Sequence, residues 1–294
     1  MNFKEVLLVV NPISGAFDKE RIINKVKNEV EARQAEFHLY KTTGKDDIEN
    51  IREVLKAHRM NRVLVAGGDG TINLVAESIK DYEMDLGIIP AGSANGLAVN
   101  LELPDELEEQ VSIALGDNFI DYDILCLNDT ICLHMSDLGI NAELIKNYEH
   151  SSVRGKLGYL LQSIPTLIQS EYPFDFEILT EEEDRIAQAA LLGIANARKY
   201  GTGAQVNPIG KPNDGLFEIL IFKRLNLVEI LKTLRNETDL DHEFLEIIQT
   251  KSAKVICKKP VSFQIDGEFI GEETEIEIKV LPEKLSIAVP PGVK

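Results

Sequence analysis

The sequence predicts a two-domain chain, with a parallel α/β domain over residues 1–118 followed by an all-β sandwich over residues 119–294. Three observations carry this. The first third alternates apolar, strand-like runs with stretches of helical periodicity. Its strands end in short loops rich in Gly, Ser, Thr and Asn. From about residue 119 the pattern changes to many short strand-like stretches separated by turn residues, with two helical stretches at 155–169 and 226–235.

The elements follow in order. Val6–Val10 is an unbroken apolar run, the mark of a strand buried on both faces of a parallel sheet. Asn11-Pro12 and Gly15 end it. From Asp18, a candidate N-cap, Ile22, Val26 and Val30 recur every four residues and define one helix face. Phe37–Tyr40 is a second strand. Asp46 and Glu49 have capping-box spacing for a helix that turns Ile48, Ile51 and Leu55 inward. Arg62–Ala66 is a third strand, ending in Gly67-Gly68-Asp69-Gly70, and Thr71 opens a helix carrying Ile72, Val75, Ala76 and Ile79. Leu86–Pro90 is a fourth strand and ends in Ala91-Gly92-Ser93. The order β-α-β-α-β-α-β makes a parallel sheet the default.

Downstream, strands are expected at Phe119–Leu127, Thr130–Leu138, Phe174–Leu179, Gln188–Ala195, Leu216–Phe222, Lys254–Cys257, Val261–Ile265, Thr274–Val280 and Lys284–Val289. The final strand is free to pack back on the first domain. Acidic clusters at Glu181–Asp184 and Glu237–Glu243 read as solvated turns.

The chain of 294 residues carries 31 Lys and Arg against 49 Asp and Glu, a formal net charge of −18. That balance argues against nucleic-acid binding, which needs a basic surface to neutralise phosphates. It equally disfavours purely electrostatic adsorption to anionic lipid. Cys126, Cys132 and Cys257 form no CxxC pair and no zinc-site spacing, so they read as reduced thiols of a cytoplasmic protein. No apolar run approaches the roughly 20 residues of a membrane span.

Gly67-Gly68-Asp69-Gly70-Thr71 stands where ligands bind in open α/β sheets, outside the carboxyl ends of the strands. Glycines let the backbone approach a phosphate, and the helix start supplies N–H donors. Asp69 would repel a bare phosphate and suits Mg²⁺ or a substrate proton instead; its simpler reading is a helix cap. Asn11-Pro12-Ile13-Ser14-Gly15, Thr42-Thr43-Gly44 and Ala91-Gly92-Ser93-Ala94-Asn95-Gly96 end the other three strands on the same edge. Neither a Walker P-loop nor a GxGxxG motif is present. The four loops together suggest a nucleotide phosphate site. Further on, Gln264-Ile265-Asp266-Gly267-Glu268 and Asn213-Asp214-Gly215 read on their own as turns.

Taken as a set, Val10-Asn11-Pro12-x-Ser14-Gly15, Gly67-Gly68-Asp69-Gly70-Thr71-x-Asn73, Ile89-Pro90-Ala91-Gly92-Ser93-Ala94-Asn95, Asn213-Asp214-Gly215-Leu216-Phe217 and Ile265-Asp266-Gly267-Glu268 resemble the diacylglycerol kinase catalytic family. That family includes soluble bacterial lipid kinases and the sphingosine and ceramide kinases. The resemblance covers residues 5–290. It implies an NAD-kinase-like nucleotide domain, a β-sandwich, and an active site in the cleft between them. It implies ATP as donor, contacted by Asn11, Pro12, Ser14, Gly15, Thr43, Gly67 to Asn73, Gly92, Ser93 and Asn95, with Asp69 orienting Mg²⁺–ATP. Asp266 and Glu268 would lie across the cleft, either one serving as general base on a lipid hydroxyl. A structural Mg²⁺ would take the Asp214 carboxylate and the carbonyls of Lys211 and Leu216.

One departure stands out. Bacterial diacylglycerol kinases usually place Asp after the Asn of the third motif, whereas this chain has Gly96, closer to the small residue of sphingosine kinases. Glu143 falls near an acidic substrate residue of sphingosine kinases, and Arg154 near a phosphate-binding Arg; each also reads as a solvated side chain. The apolar stripe of the 155–169 helix reads first as core, and Lys251, Lys254, Lys258 and Lys259 form the one local basic stretch. The expected activity is Mg²⁺–ATP-dependent phosphorylation of a diacylglycerol-like or sphingoid-like lipid at a membrane surface. The expected location is cytoplasmic with transient membrane association, and a homodimer is left open. An NAD kinase is the rival enzyme, and a non-catalytic nucleotide- or lipid-binding module is the third reading.

Overall fold

The computed structural model describes residues 3–15, 17–93, 95–142, 172–200, 203–224 and 243–293. Ala94, Glu143, Arg154, the helices expected at 155–169 and 226–235, and residues 237–242 of the second acidic cluster lie outside the described residues. The chain divides into two units, Met1–Asp123 with Pro282–Lys294, and Ile124–Leu281.

The first unit contains β1 (Glu5–Val10), α1 (Lys19–Ala32), β2 (Glu36–Lys41), α2 (Asp47–Ala57), β3 (Arg62–Gly67), α3 (Asp69–Ile79), β4 (Asp85–Pro90), α4 (Gly96–Asn100), α5 (Leu107–Ala114) and the start of β5 (Phe119–Leu127). The strands run parallel in the order β4-β3-β1-β2, with Val6 opposite both Phe37 and Arg62, and Val63 opposite Leu86. Ser286 and Ile287 of the chain's last strand add a further parallel pairing against Asp85 and Leu86. Every residue from Val6 to Val10 is buried, as a strand covered on both faces must be. Val6, Leu8 and Val10 pack with Ile22, Val26 and Val30 of α1 and with Val111 and Ala114 of α5.

Local signals explain the helix ends. The Asp18 carboxylate accepts the Arg21 N–H at 3.1 Å and caps α1. The capping box expected at Asp46 does not form. Asp46 is left-handed, with φ of 53°, and makes no side-chain cap bond. The neighbouring Asp47 turns back instead and binds the loop before the helix. Helix α3 begins at Asp69 with Gly68 as its N-cap, two residues before the expected Thr71. Arg62, buried at the start of β3, donates to the carbonyls of Ala114 and Gly116 at the end of α5 and to Asp85 of β4. A cation at a helix C-terminus is the favoured arrangement.

The second unit contains the rest of β5, β6 (Thr130–Cys132), β7 (Met135–Gly139), β8 (Phe174–Thr180), β9 (Asp184–Ala189), β10 (Leu191–Ala195), β11 (Lys199–Tyr200), β12 (Ala204–Gln205), β13 (Phe217–Phe222), β14 (Leu245–Thr250), β15 (Ser252–Ile265) and most of β16 (Glu268–Ala288). One antiparallel path runs β14-β13-β10-β7-β15-β16, and β8 with β9 joins through β15. The first part of β15, Ala253–Cys257, pairs with β8; its last part, Phe263–Ile265, pairs with β7. Phe176, Ile178, Leu138, Leu192, Phe217, Ile219, Val255, Phe263 and Ile276 share the core of this unit.

Several strands differ from the sequence reading, each for a visible reason. Thr130–Leu138 splits into β6 and β7 because the Leu133 and His134 N–H groups turn to the Asp266 carboxylate at 2.8 Å. Gln188–Ala195 splits at Ala190, whose N–H goes to the Phe222 carbonyl at 2.9 Å. Lys254–Cys257 and Val261–Ile265 are one strand, with the pairing to β16 lapsing between Ile256 and Val261. Pro260, which lacks an N–H, falls in that lapse.

Candidate active site

The loops after β1, β3 and β4 are bound to one another. The Asn11 side-chain amide donates to the Thr71 hydroxyl at 3.2 Å, joining the first loop to the start of α3. The Ser14 hydroxyl lies 3.1 Å from the Asn11 carbonyl and 3.2 Å from the Ala91 carbonyl. The Lys19 ammonium donates to that same Ala91 carbonyl at 2.9 Å, and burial lowers its pKa. Asn95 closes the third loop on itself, its carbonyl oxygen accepting the Gly92 N–H at 2.8 Å and its amide donating to the Gly92 carbonyl at 3.1 Å.

Two glycines fix how closely these loops approach. A Cβ at Gly92 would stand 2.3 Å from the Cα of Gly68 and 2.9 Å from its nitrogen. No other residue fits between the β3 and β4 loops without moving backbone. Bare backbone beside the start of a helix is an arrangement that can approach a phosphate closely.

Asp69 caps a helix, though not the one it starts. Its two oxygens accept the N–H groups of Gly96 at 2.8 Å and Leu97 at 3.0 Å, the first residues of α4. A carboxylate has about four acceptor positions, so Asp69 can also orient a hydrated cation. Gly96 is buried at this junction. Pro12, Gly15 and Ser93 are exposed on the loop tips, and Gly70 and Asn73 are partly buried in the first turns of α3. Thr43 stands at the end of β2, where its N–H and hydroxyl bind the Asp47 carboxylate at 2.9 and 3.1 Å. Burial pushes the Asp47 carboxyl up, but the bonds from Tyr40, Thr43 and Gly44 outweigh it and hold the group below its usual value.

In the second unit, Asp266 sits left-handed, with φ of 48°, in the turn from β15 to β16. One carboxylate oxygen accepts the His134 and Met135 N–H groups at 2.8 and 2.9 Å, with the Cys132 thiol at 3.4 Å. The other accepts the Leu133 N–H at 2.8 Å. The Asp266 N–H in turn donates to the Met135 carbonyl at 3.0 Å. Burial, and then the Asp266 charge, push the Cys132 thiol well above its usual range. Glu268, two residues on, is exposed.

Asp214, Lys211 and Leu216 share one turn, with the Asp214 carboxylate accepting the Leu216 N–H at 3.1 Å. Asp214 is exposed, and Glu218 lies buried nearby with its oxygens on the Asn207 and Gln249 side chains. Burial raises the pKa of Glu218, and the Asp214 charge adds to that. A hard cation held by one carboxylate, carbonyls and water fits this acidic turn.

The family model for the diacylglycerol kinase catalytic domain matches residues 5–127, and that for the YegS C-terminal NAD kinase beta sandwich-like domain matches residues 136–289. The chain belongs to the diacylglycerol kinase catalytic-domain family. Its C-terminal part makes it a YegS-type member. The chain is 29% identical over 262 residues to the probable lipid kinase YegS of Escherichia coli O1:K1, covering 86% of each chain. It is 27% identical to that of Salmonella dublin, covering 99% of this chain and 97% of the other. Among solved structures it is similar to a diacylglycerol kinase from Bacillus anthracis, with a TM-score of 0.77, 19% identity and full coverage of both chains. It is also similar to an NAD kinase from Archaeoglobus fulgidus in complex with ATP, with a TM-score of 0.57, 13% identity and coverage of 97% and 93%. These two likenesses confirm the N-terminal parallel α/β and C-terminal sandwich-like architecture.

In this YegS-type chain the sequence reading missed a buried polar chain behind the Asp266 turn. One oxygen of the buried Asp137 accepts the side-chain amides of Asn141 and Gln264, both at 2.6 Å. The Gln264 carbonyl oxygen then accepts the Gly267 N–H at 2.7 Å. The signal was present: Asp137 and Gln264 are polar residues inside otherwise apolar strands, where burial demands a partner.

Proposed function

We propose that the chain is a lipid kinase that transfers the γ-phosphate of Mg²⁺–ATP to a hydroxyl of a diacylglycerol-like or sphingoid-like lipid. The observation that carries the nucleotide half is the contact of Gly68 with Gly92, bracketed by the Asn11–Thr71 bond, at the carboxyl edge of the parallel sheet. Family membership, and the names of the relatives, support the lipid half.

A Mg²⁺ bound with the nucleotide would neutralise charge on the transferring phosphoryl group. The residues present divide the remaining work. The backbone of Gly68, Gly92 and Gly15 gives close approach to phosphate oxygens, and the first turn of α3 directs N–H donors at them. Lys19, tied to the Ala91 carbonyl, places a cation beside that loop. Asp69 holds α4 while keeping acceptor capacity for the hydrated cation. In the second unit Asp266, fixed by the Leu133, His134 and Met135 N–H groups, is the base that would accept the substrate hydroxyl proton. Glu268, two residues on, is the alternative base. Asp214 with the Lys211 and Leu216 carbonyls would hold the structural cation. The enzyme would work in the cytoplasm and touch the membrane transiently.

The test is transfer of labelled γ-phosphate to micellar diacylglycerol, monoacylglycerol, phosphatidylglycerol, sphingosine and ceramide, with NAD as a separate acceptor. The expected result is one labelled lipid class whose formation collapses in Asp266→Asn. Labelled NAD instead would assign the chain to the other enzyme of this fold, and tight ATP binding with no transfer to any acceptor would make it a binding module.

A further inference from the structure

At the opposite end of the parallel sheet, far from the phosphate loops, three side chains converge that neither the sequence reading nor the family motifs mark. Glu5 begins β1, His38 lies in β2, and His58 caps the end of α2. The same Glu5 oxygen lies 3.4 Å from the His38 Nε2 and 3.2 Å from the His58 Nδ1. The two imidazole rings stand 4.1 Å apart, tilted by 55°. Glu36 offers a further carboxylate oxygen 3.5 Å from the His38 Nε2. Among the described residues this is the only group of three His, Cys, Asp or Glu side chains with ligand atoms close enough to share a metal ion.

From this geometry we infer that Glu5, His38 and His58 form a zinc site. Ligands roughly 2.0–2.2 Å from a tetrahedral Zn²⁺ stand roughly 3.3–3.6 Å from one another. The two distances from the Glu5 oxygen match that edge length. The His38 Nε2 is cut off from solvent and has no hydrogen-bond partner, an unfavourable state for a buried polar atom that a metal bond would relieve. Two imidazoles and a carboxylate suit Zn²⁺ and its neighbours Co²⁺, Ni²⁺ and Cu²⁺, and do not suit Mg²⁺, which takes oxygen ligands. The site is therefore chemically separate from the phosphoryl-transfer machinery, and it stands whether or not the chain phosphorylates a lipid. The fourth position falls to water or to Glu36.

The role is structural. The three ligands come from the start of β1, the middle of β2 and the α2–β3 connection, so one ion ties three segments of the α/β unit at its open lower edge. Binding that favours the folded chain raises stability by mass action.

The test is titration of the chelator-treated full chain with Zn²⁺ alone. One equivalent is expected to bind, with a rise in melting temperature and no competition from Mg²⁺. His38→Ala and His58→Ala should each weaken binding by more than the ~10–100-fold that losing an outer-shell partner costs. Glu5→Gln should weaken it as well. His58 is half-exposed, so its variant should fold normally, as circular dichroism will check. Co²⁺ at the site should give the intense visible bands of a four-coordinate ion. No Zn²⁺ binding by the wild type, unchanged binding in the folded His58→Ala variant, or only weak octahedral Co²⁺ bands would each overturn the site.

Discussion

Gly92 lies so close to Gly68 that a methyl added at Gly92 would stand 2.3 Å from the Gly68 Cα, far inside van der Waals contact. Gly92→Ala is therefore expected to push the β3 and β4 loops apart. Overpacking of this kind typically costs ~1–3 kcal/mol. The nucleotide affinity should fall further than the stability, because the displaced backbone is the phosphate cradle. Calorimetric ATP titration beside a thermal melt will check this. A variant that melts early but binds ATP normally would remove these loops from the nucleotide site.

Asp266 and Glu268 separate by experiment. In Asp266→Asn one end of the side chain can still accept the His134 and Met135 N–H groups, but the amide nitrogen then faces the Leu133 donor. A buried donor without an acceptor costs ~1–3 kcal/mol, so the variant should melt earlier. At a temperature where it is folded, its rate should fall by the ~10²–10⁴-fold that follows loss of a general base. Glu268→Gln, at an exposed position, should lower the melting temperature less and lose less activity. The reverse pattern of rates would transfer the base role to Glu268.

Much of this architecture was legible because parallel strands announce themselves. Val6–Val10 and Val63–Ala66 are continuous apolar runs, and each is followed by a Gly- or Asn-rich loop. What escaped notice depends on partners that no motif marks. Asp47, one residue after the expected cap Asp46, binds Tyr40, Thr43 and Gly44. The stop between β6 and β7 is set by Asp266, more than 130 residues away, and no local signal encodes it. In the basic stretch, Lys254 and Lys258 pair with Glu275 and Asp175 of neighbouring strands. The helix face that would have admitted or excluded lipid lies outside the described residues.

Asp47 gives the fold an acid-sensitive point. Its carboxyl is held below its usual value of 3.8 by the donors from Tyr40, Thr43 and Gly44, after burial has acted the other way. The folded state thus favours the ionised form. That contribution is complete above the unfolded value and is lost as the pH falls through the folded one. Denaturant midpoints measured down through pH 4 should decline in the wild type. In Asp47→Asn the midpoint at neutral pH should already be lower, and the decline shallower. A variant whose acid profile overlays the wild type would remove Asp47 as a contributor.

The cysteines supply the last test. Burial, followed by the nearby Glu273 charge, pushes the Cys257 thiol up to about 12, and Cys132 is raised as well, by burial and then by Asp266. A thiol reacts as the thiolate, so neither should be modified in the folded chain even at pH 9, where an unperturbed thiol is half ionised. Because both pKa values are raised on folding, stability from these groups is complete below the unfolded value of 9.0 and is lost only as the pH climbs towards the folded one. Alkylation at pH 9 followed by mass spectrometry should therefore leave Cys132 and Cys257 intact in the native chain and label all three cysteines in denaturant. Rapid native labelling at Cys132 would mean that the Asp266 turn opens, and with it the N–H cage on which the proposed base depends.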